Sequence, residues 1–438
     1  AGRNSSVWHG FLAFLSDFHP MLRLLPFLLL LASNGLAQKK LELTDRTYED
    51  QVRTVQLHPR LGAPRDHFQP AVASLRQQNL MLAFDDLQED RQNYYVRLVH
   101  CNYDWTPSVL KDMDFMREFN EFVINDHQLS NNTNVVYYHY RFPIPPVTLP
   151  GNYVAVVYRD GDKKDLILTK RFMIFENRTA IGRDEQISGL GTLRSSQQQL
   201  NFTVNYKNVE IINPMETVHV VIRQNQRWDN ARFHVPPSFV REDRQQIEYR
   251  FFDSDQNFKG GNEFRFVDFR SLNFPGQNTG SLNRRANPFE LNVMVDKPRG
   301  NNAYAQYPDF NGNYIIDNRD YQDDPALAAN YLFVNFMLTT PPVEGAVHVA
   351  GAFNQWRFTS ENQLSYDSKA GAYTGSFLLK QGWYDYLYLV SGGKTDPYLF
   401  EGSHFETENL YEVLVYYRPF RPAADVLIGY YSLPANSR

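Results

Sequence analysis

Apolar and polar residues alternate at every second position in short stretches along most of the chain, the period of strands half buried in a sheet. In "NYYVRLVHC" (93–101), Tyr94, Val96, Leu98 and His100 share one face, and Tyr95, Arg97, Val99 and Cys101 the other. Residues 79–101 read as a hairpin of two strands around the polar stretch Gln88 to Gln92. Residues 151–176 repeat the design, with Asp160-Gly161 at the turn, a dipeptide suited to a tight connection with left-handed backbone. Between them lie Phe115 to Phe122, which fit one or two helical turns, and the strand "NVVYYHYRFPI". The pattern predicts one β-sandwich of some seven strands over residues 38–178.

Around Thr179 to Ser195 the alternation lapses into Gly, Ser and charge, which reads as a linker. "QQLNFTVNY", "TVHVVIRQ", "QQIEYRFFD" and "NEFRFVDFRSL" are strand-like and predict a middle β-rich domain, 196–329. "NYLFVNFML", "AVHVAGAF", "GAYTGSFLLKQGWYDYLYLV" and "LYEVLVYYRPF" predict a C-terminal immunoglobulin-like domain, 330–438. No period of about 20 to 50 residues recurs, so neither a propeller nor a solenoid is indicated. The fold class is therefore all-β, built of tandem immunoglobulin-like sandwiches.

Composition sharpens this picture in three places. Aromatics make up 15% of the chain, mostly Tyr and Phe, which favour strands. A formal charge of −5 over 438 residues leaves no electrostatic footprint for nucleic acid. From Met21, "MLRLLPFLLLLASNGLAQ" joins a basic Arg23 to an apolar run and small residues before Gln38, the pattern of a secretory signal over 21–37. The run is too short for roughly 30 Å of hydrocarbon. Residues 1–20 read as an over-extended start, and the mature chain is expected to begin at Gln38 outside the cytoplasm. A single cysteine excludes an internal disulfide, so the cores must supply the stability.

Candidate chemistry is sparse. His100 and Cys101 are adjacent, but strand geometry points them to opposite faces, which rules out a dyad and predicts a structural Cys and a hydrogen-bonded His. Asp85, Asp86, Glu89 and Asp90 fall at a predicted turn, where carboxylates are ordinarily solvated. "DFNGNYIIDNRD" (309–320) puts its glycine at the fourth position and an Asp at the twelfth, so it fits a turn better than a calcium loop. The eleven histidines lack metal-ligand spacing, and no nucleophile elbow, phosphate loop or dinucleotide fingerprint occurs. No catalytic residue, cofactor or metal is expected, and no small-molecule substrate.

"AGAFNQW" (350–356) ahead of "GAYTGSFLLKQGWYDYLYLV" resembles the early-set immunoglobulin-like module of starch- and glycogen-binding proteins. The resemblance implies that Phe353 and Trp356 are core residues, and it opens a second reading, a periplasmic or secreted carbohydrate-binding protein. Sugar binding requires an exposed aromatic platform, and "SGGKTDPYLFEGSHF" after the hairpin contains no Trp.

A longer resemblance runs through nearly the whole mature chain. "LAFDDL", "NYYVRLVHCNYDWTPSVL", "GNYVAVVYRDGD" and "LTKRFMIFE" are similar to the N-terminal domain of the type IX secretion plug proteins of Bacteroidetes-type bacteria. "QRWDNARF", "GGNEFRFVDFRSL" and "EGSHFETENLYEVLVYYRPF" are similar to that family's middle and C-terminal parts. The signature falls on His100, Cys101, Asp104, Trp105 and Pro107, with Trp228 and Trp356 further on, and these read as structural. Trp105 is expected to be a core anchor, with Asp104 and Pro107 shaping the exit turn. The resemblance implies a non-enzymatic protein at the periplasmic face of the outer membrane. Its partner would be the giant β-barrel translocon, whose periplasmic mouth it closes when cargo is absent.

Overall fold

A computed structural model describes residues 39–60, 67–183 and 193–437. The expected start and signal segments, 1–20 and 21–37, lie outside the described residues. The described chain is nearly all strand, and none of its helices is long and apolar enough to cross a membrane.

The first sandwich pairs a sheet of Arg46–Thr47, Leu166–Phe175, Gly151–Arg159, Tyr94–Cys101 and Phe122–Val123, with Val72–Ser74 also beside Leu166–Phe175, against a sheet of Val52–Pro59, Leu80–Asp86, Tyr138–Pro143 and Asp126–Leu129. Between them lie Leu82, Phe84, Val96, Tyr153 and Phe172, and the rings of Phe84 and Tyr140 stack at 5.1 Å. The turn at Asp160-Gly161 has the expected left-handed backbone, φ 49° and 75°, and its strands pair as a hairpin. Gly151–Arg159 is buried at eight of nine positions, since its inner face meets this core and its outer face meets a second sandwich. A continuous apolar run such as "YVAVVY" is what burial on both faces requires.

The other expected hairpin is not one. Leu80–Asp86 and Tyr94–Cys101 lie in opposite sheets, and the polar segment between them crosses the end of the sandwich. Both strands bury alternate residues in one shared core, an outcome that alternation alone cannot distinguish from pairing edge to edge.

The second sandwich sets Ala180–Arg183, Phe202–Asn205, Gln246–Tyr249 and Phe239–Arg241 against Val218–Gln224, Asn409–Tyr417 and Val426–Ala435. Its core joins Phe202, Ile247 and Tyr249 to Val220, Ile222, Tyr411 and Val413. In the third sandwich, Arg265–Asp268, Tyr314–Ile316, Gly382–Ser391 and Ala346–Ala350 face Thr279–Asn283, Phe289–Val293, Tyr331–Thr339, Ala372–Lys380 and Ser365–Asp367. Leu332, Val334, Phe336, Tyr384 and Tyr386 fill it.

The third sandwich is thus nested within the sequence of the second. The boundary expected at 330 cuts through the third sandwich, whose two sheets both draw strands from either side of it. Residues 409–435 return to the second, where Asn409–Tyr417 pairs with Val218–Gln224 along seven residues. The physical reason lies in Val218–Gln224, buried at six of seven positions, which needs a neighbouring strand that the 196–329 stretch does not supply.

Candidate functional site

The signature stretch begins on a strand and ends on a seam. Pleating sends His100 and Cys101 to opposite sides of Tyr94–Cys101, as their spacing requires. His100 packs in the first sandwich against Tyr153, ring centroids 5.0 Å apart, and against Phe115. Its expected hydrogen bond is absent: among the described residues neither ring nitrogen has a partner, and burial holds its pKa down at about 4. Cys101 faces the second sandwich with no solvent exposure, and burial pushes its thiol up to about 12. A thiol in that state is neither ionised nor reachable, so the pair offers no nucleophile and base.

Asp104, Trp105 and Pro107 form the exit turn. The Asp104 carboxylate accepts from the Thr106 amide (3.1 Å) and hydroxyl (2.6 Å), and Asn102 N donates to Thr106 O (2.9 Å). Pro107 bridges back to Cys101. Trp105 sits at φ 66°, a left-handed conformation costly for a large residue, and this turns its indole out of the first sandwich. There it meets Trp228 edge-on at 4.9 Å. Trp105 is therefore an anchor between sandwiches, not within one.

That seam is apolar at its centre, with polar contacts around it. Cys101, Val154, Val156 and Met173 of the first sandwich pack against Val221, Leu414, Tyr416 and Leu427 of the second. Tyr416 donates its hydroxyl to Asn152 Oδ1 (2.7 Å). Tyr103 stacks on His219 at 4.3 Å, and its amide donates to Asp425 (3.0 Å), which is also paired with Arg418.

A second seam joins the first and third sandwiches through charge. Asp85 and Asp86 were expected at a solvated turn, yet both lie on Leu80–Asp86 and neither has measurable exposure. Asp85 receives Lys380 Nζ at 2.6 Å, Tyr331 Oη at 2.7 Å and His139 Nδ1 at 2.6 Å. Lys380 also donates to Ala326 O (2.7 Å), and its ammonium lies 4.1 Å from the centre of the Tyr137 ring. Asp86 is met by Tyr94 Oη at 2.7 Å. Burial alone would raise the Asp85 pKa, but Lys380 and His139 outweigh it and hold the carboxylate ionised. In the sequence, a lone Lys at a strand end carries no sign of this partner.

The third contact is aromatic and basic. Arg227, from the loop after Val218–Gln224, lies 3.9 Å over Trp356 and pairs with Asp229 (2.6 Å). Trp356 is buried with Phe264, Leu387 and Leu389. Between residues 347 and 400, Phe358 is the one aromatic more than a third exposed, so no aromatic platform is laid out there.

Trp105, Trp228 and Trp356, one from each sandwich, all line a cleft of about 370 Å³ where the three bodies meet. Arg171 lies 4.6 Å over Trp105 and 5.7 Å from Trp228, and Arg223 lies 4.5 Å over Trp228. The structure thereby gathers three residues more than 100 positions apart in sequence, while His100 stays buried elsewhere. Among the described residues no cluster of His, Cys, Asp and Glu has the arrangement of a metal site.

Residues 52–176 match a family model described as the type 9 secretion system plug protein 1st domain. No curated protein matches the chain. Among solved structures, the chain is similar to a hypothetical protein from Parabacteroides merdae, with TM-score 0.83 and 27% identity over 90% of this chain and 100% of that one. A second match is to the structure of manganese lipoxygenase of Gaeumannomyces graminis with part of zonadhesin of Komagataella pastoris. It covers 88% of this chain and 93% of that one at 10% identity, and its TM-score of 0.14 carries no argument.

Proposed function

We propose, from the match of residues 52–176 to the type 9 secretion system plug protein 1st domain, that this chain is a non-enzymatic plug. It binds the giant outer-membrane barrel of that secretion system from the periplasm and closes the opening when cargo is absent. The observation that carries this reading is where the chain spends its polar chemistry. Asp85, Lys380, Glu412 and Arg223 are buried and committed to one another, and Cys101 is sealed. Asp85 and Lys380 tie the first sandwich to the third, and Arg223 and Glu412 join two strands of the second, and none of them presents a reactive group to solvent. A body meant to close a wide pore needs stiffness and broad surface, and no active site.

Such a plug requires an interface large enough to hold and weak enough to release, about 1,200 to 2,000 Å² in total. The test is to pull the protein from outer-membrane extracts in mild detergent and to delete its gene. The barrel is expected to co-purify, and the deletion strain to admit large antibiotics while still assembling the barrel. Recovery of the protein alone, with a deletion strain no leakier than its parent, overturns the reading.

A further inference from the structure

The cleft between the three sandwiches holds more positive charge than its own carboxylates balance. Lys170, Arg171, Arg223 and Arg357 line it. Arg223 is paired with Glu412 (Nη2 to Oε1, 2.8 Å), and Lys170 lies 3.4 Å from Asp45. The remaining acids of the wall are taken as well, Asp229 by Arg227 and Glu42 by Arg46. Arg171 donates Nε to Leu43 O (2.8 Å), and Arg357 donates Nη1 to Asp45 O (3.1 Å). Among the described residues neither guanidinium has a carboxylate within ion-pair distance, and both terminal nitrogens of Arg171 lack a hydrogen bond.

The groups that could receive an anion are already oriented. Arg171 is laid over Trp105 and pinned through Nε, which fixes the plane of its fork before any ligand arrives. Burial works against its charge and outweighs the support of nearby Asp45, and the neighbouring Arg223 and Arg357 add to the cost, which an anion would relieve. The Trp105 indole N–H supplies an independent sign. Trp105 is 4% exposed and lines the cleft, and this donor has no acceptor among the described residues. A buried N–H without an acceptor is uncommon and marks a place where an acceptor belongs. The cleft's size falls within the range of small-ligand sites, about 300 to 1,000 Å³.

We propose that this cleft binds a carboxylate carried on a flat apolar group, the carboxylate received by Arg171 and Arg357 and the apolar part lying against the indole walls. A planar, singly charged carboxylate matches the guanidinium fork. The ligand's source is either a free aromatic acid or the aromatic C-terminal residue of a polypeptide, which present the same chemistry.

Three of the five tryptophans line the cleft, so intrinsic fluorescence reports its occupancy. The probes are phenylacetate against phenylacetamide, and N-acetyl-Gly-Phe with a free carboxylate against its C-terminal amide. Each acid is titrated with the full mature chain, with calorimetry as a second readout. A saturable fluorescence change is expected with at least one acid, and about ten-fold weaker binding of its neutral amide. Tighter binding of the dipeptide than of phenylacetate identifies a chain end, and the reverse identifies a free acid. Arg357→Gln, at a half-buried position, is expected to weaken binding about ten-fold with unchanged melting, and it keeps the test open should Arg171→Gln fail to fold. No saturable change at millimolar concentration, equal binding of acid and amide, or unaltered binding by Arg357→Gln each overturns the proposal. The inference does not rest on the plug reading, and its failure leaves that reading where it stood.

Discussion

The ammonium of Lys380 sits 2.6 Å from the carboxylate of Asp85, 295 residues away in sequence, and the two side chains together expose almost nothing to water. The pair ties an edge of the third sandwich to the middle of a sheet in the first. Removing one partner strands the other as a buried charge, which typically costs about 3 to 5 kcal/mol. Lys380→Met is therefore expected to lower the urea midpoint sharply, while Asp85→Leu combined with Lys380→Met recovers much of the loss. Equal midpoints for Lys380→Met and the parent would show that the charges do not hold the seam.

The third sandwich carries two carboxylates with the opposite tendency, Asp385 buried and Asp309 half-buried. Asp309 accepts from the amides of Phe264 and Asn311, and Asp385 accepts from Trp383 Nε1 (2.8 Å) and the Gly312 amide (3.2 Å). Burial raises Asp309 to about 8, reinforced by the charge of Asp385, and burial raises Asp385 to about 7. A carboxyl whose folded pKa lies above its unfolded value adds stability that is complete below about pH 4. That contribution is lost as pH rises through 7 to 8. The melting temperature is accordingly expected to fall between pH 5 and 9, and Asp309→Asn to flatten the slope. A parent profile that stays flat over this range would show that both groups ionise without cost.

Cys101 provides a test of the seam between the first two sandwiches. Cys101→Ala removes one buried sulfur and should cost about 1 kcal/mol, with secretion intact wherever the protein folds. In the native protein the thiol should resist alkylation at neutral pH, because it is un-ionised and enclosed. Loss of function with an unaltered melt would return Cys101 to the list of reactive groups.

The nested order of the second and third sandwiches makes a prediction about fragments. Residues 39–405 lack Asn409–Tyr417 and Val426–Ala435, two of the three strands in one sheet of the second sandwich. This fragment is expected to retain a cooperative transition for the first and third sandwiches. Hydrogen exchange should find Phe202–Asn205 and Val218–Gln224 unprotected. Residues 330–437 alone lack Arg265–Asp268, Phe289–Val293 and Tyr314–Ile316, and are expected to be unfolded by circular dichroism.

The all-β class, the Asp160-Gly161 turn and the opposed faces of His100 and Cys101 were legible because each depends on neighbours within a few residues. What escaped depends on distance along the chain. Leu80–Asp86 and Tyr94–Cys101 have the alternation of a hairpin, and nothing local states that they sit in different sheets. The carboxylate of Asp85 looks solvated until Lys380, Tyr331 and His139 are placed around it. Trp105, Trp228 and Trp356 each stand out singly in the sequence, but their meeting at one cleft follows from how three bodies dock. The boundary at 330 failed for the same reason: a composition shift marks where a strand pattern resumes, not which sheet it joins.

The return of the last thirty residues to the second sandwich also sets a clock on the molecule. Val218–Gln224 leaves the ribosome nearly two hundred residues before its partner Asn409–Tyr417 exists. During that interval an apolar strand must wait with one edge open, the kind of edge that recruits unwanted neighbours. Closing so long a loop adds an entropic barrier that slows the step further. In the finished fold the C-terminal hairpin is a buckle, because it completes the sheet begun by Val218–Gln224, and a chain without it lacks part of that sandwich and not merely a tail.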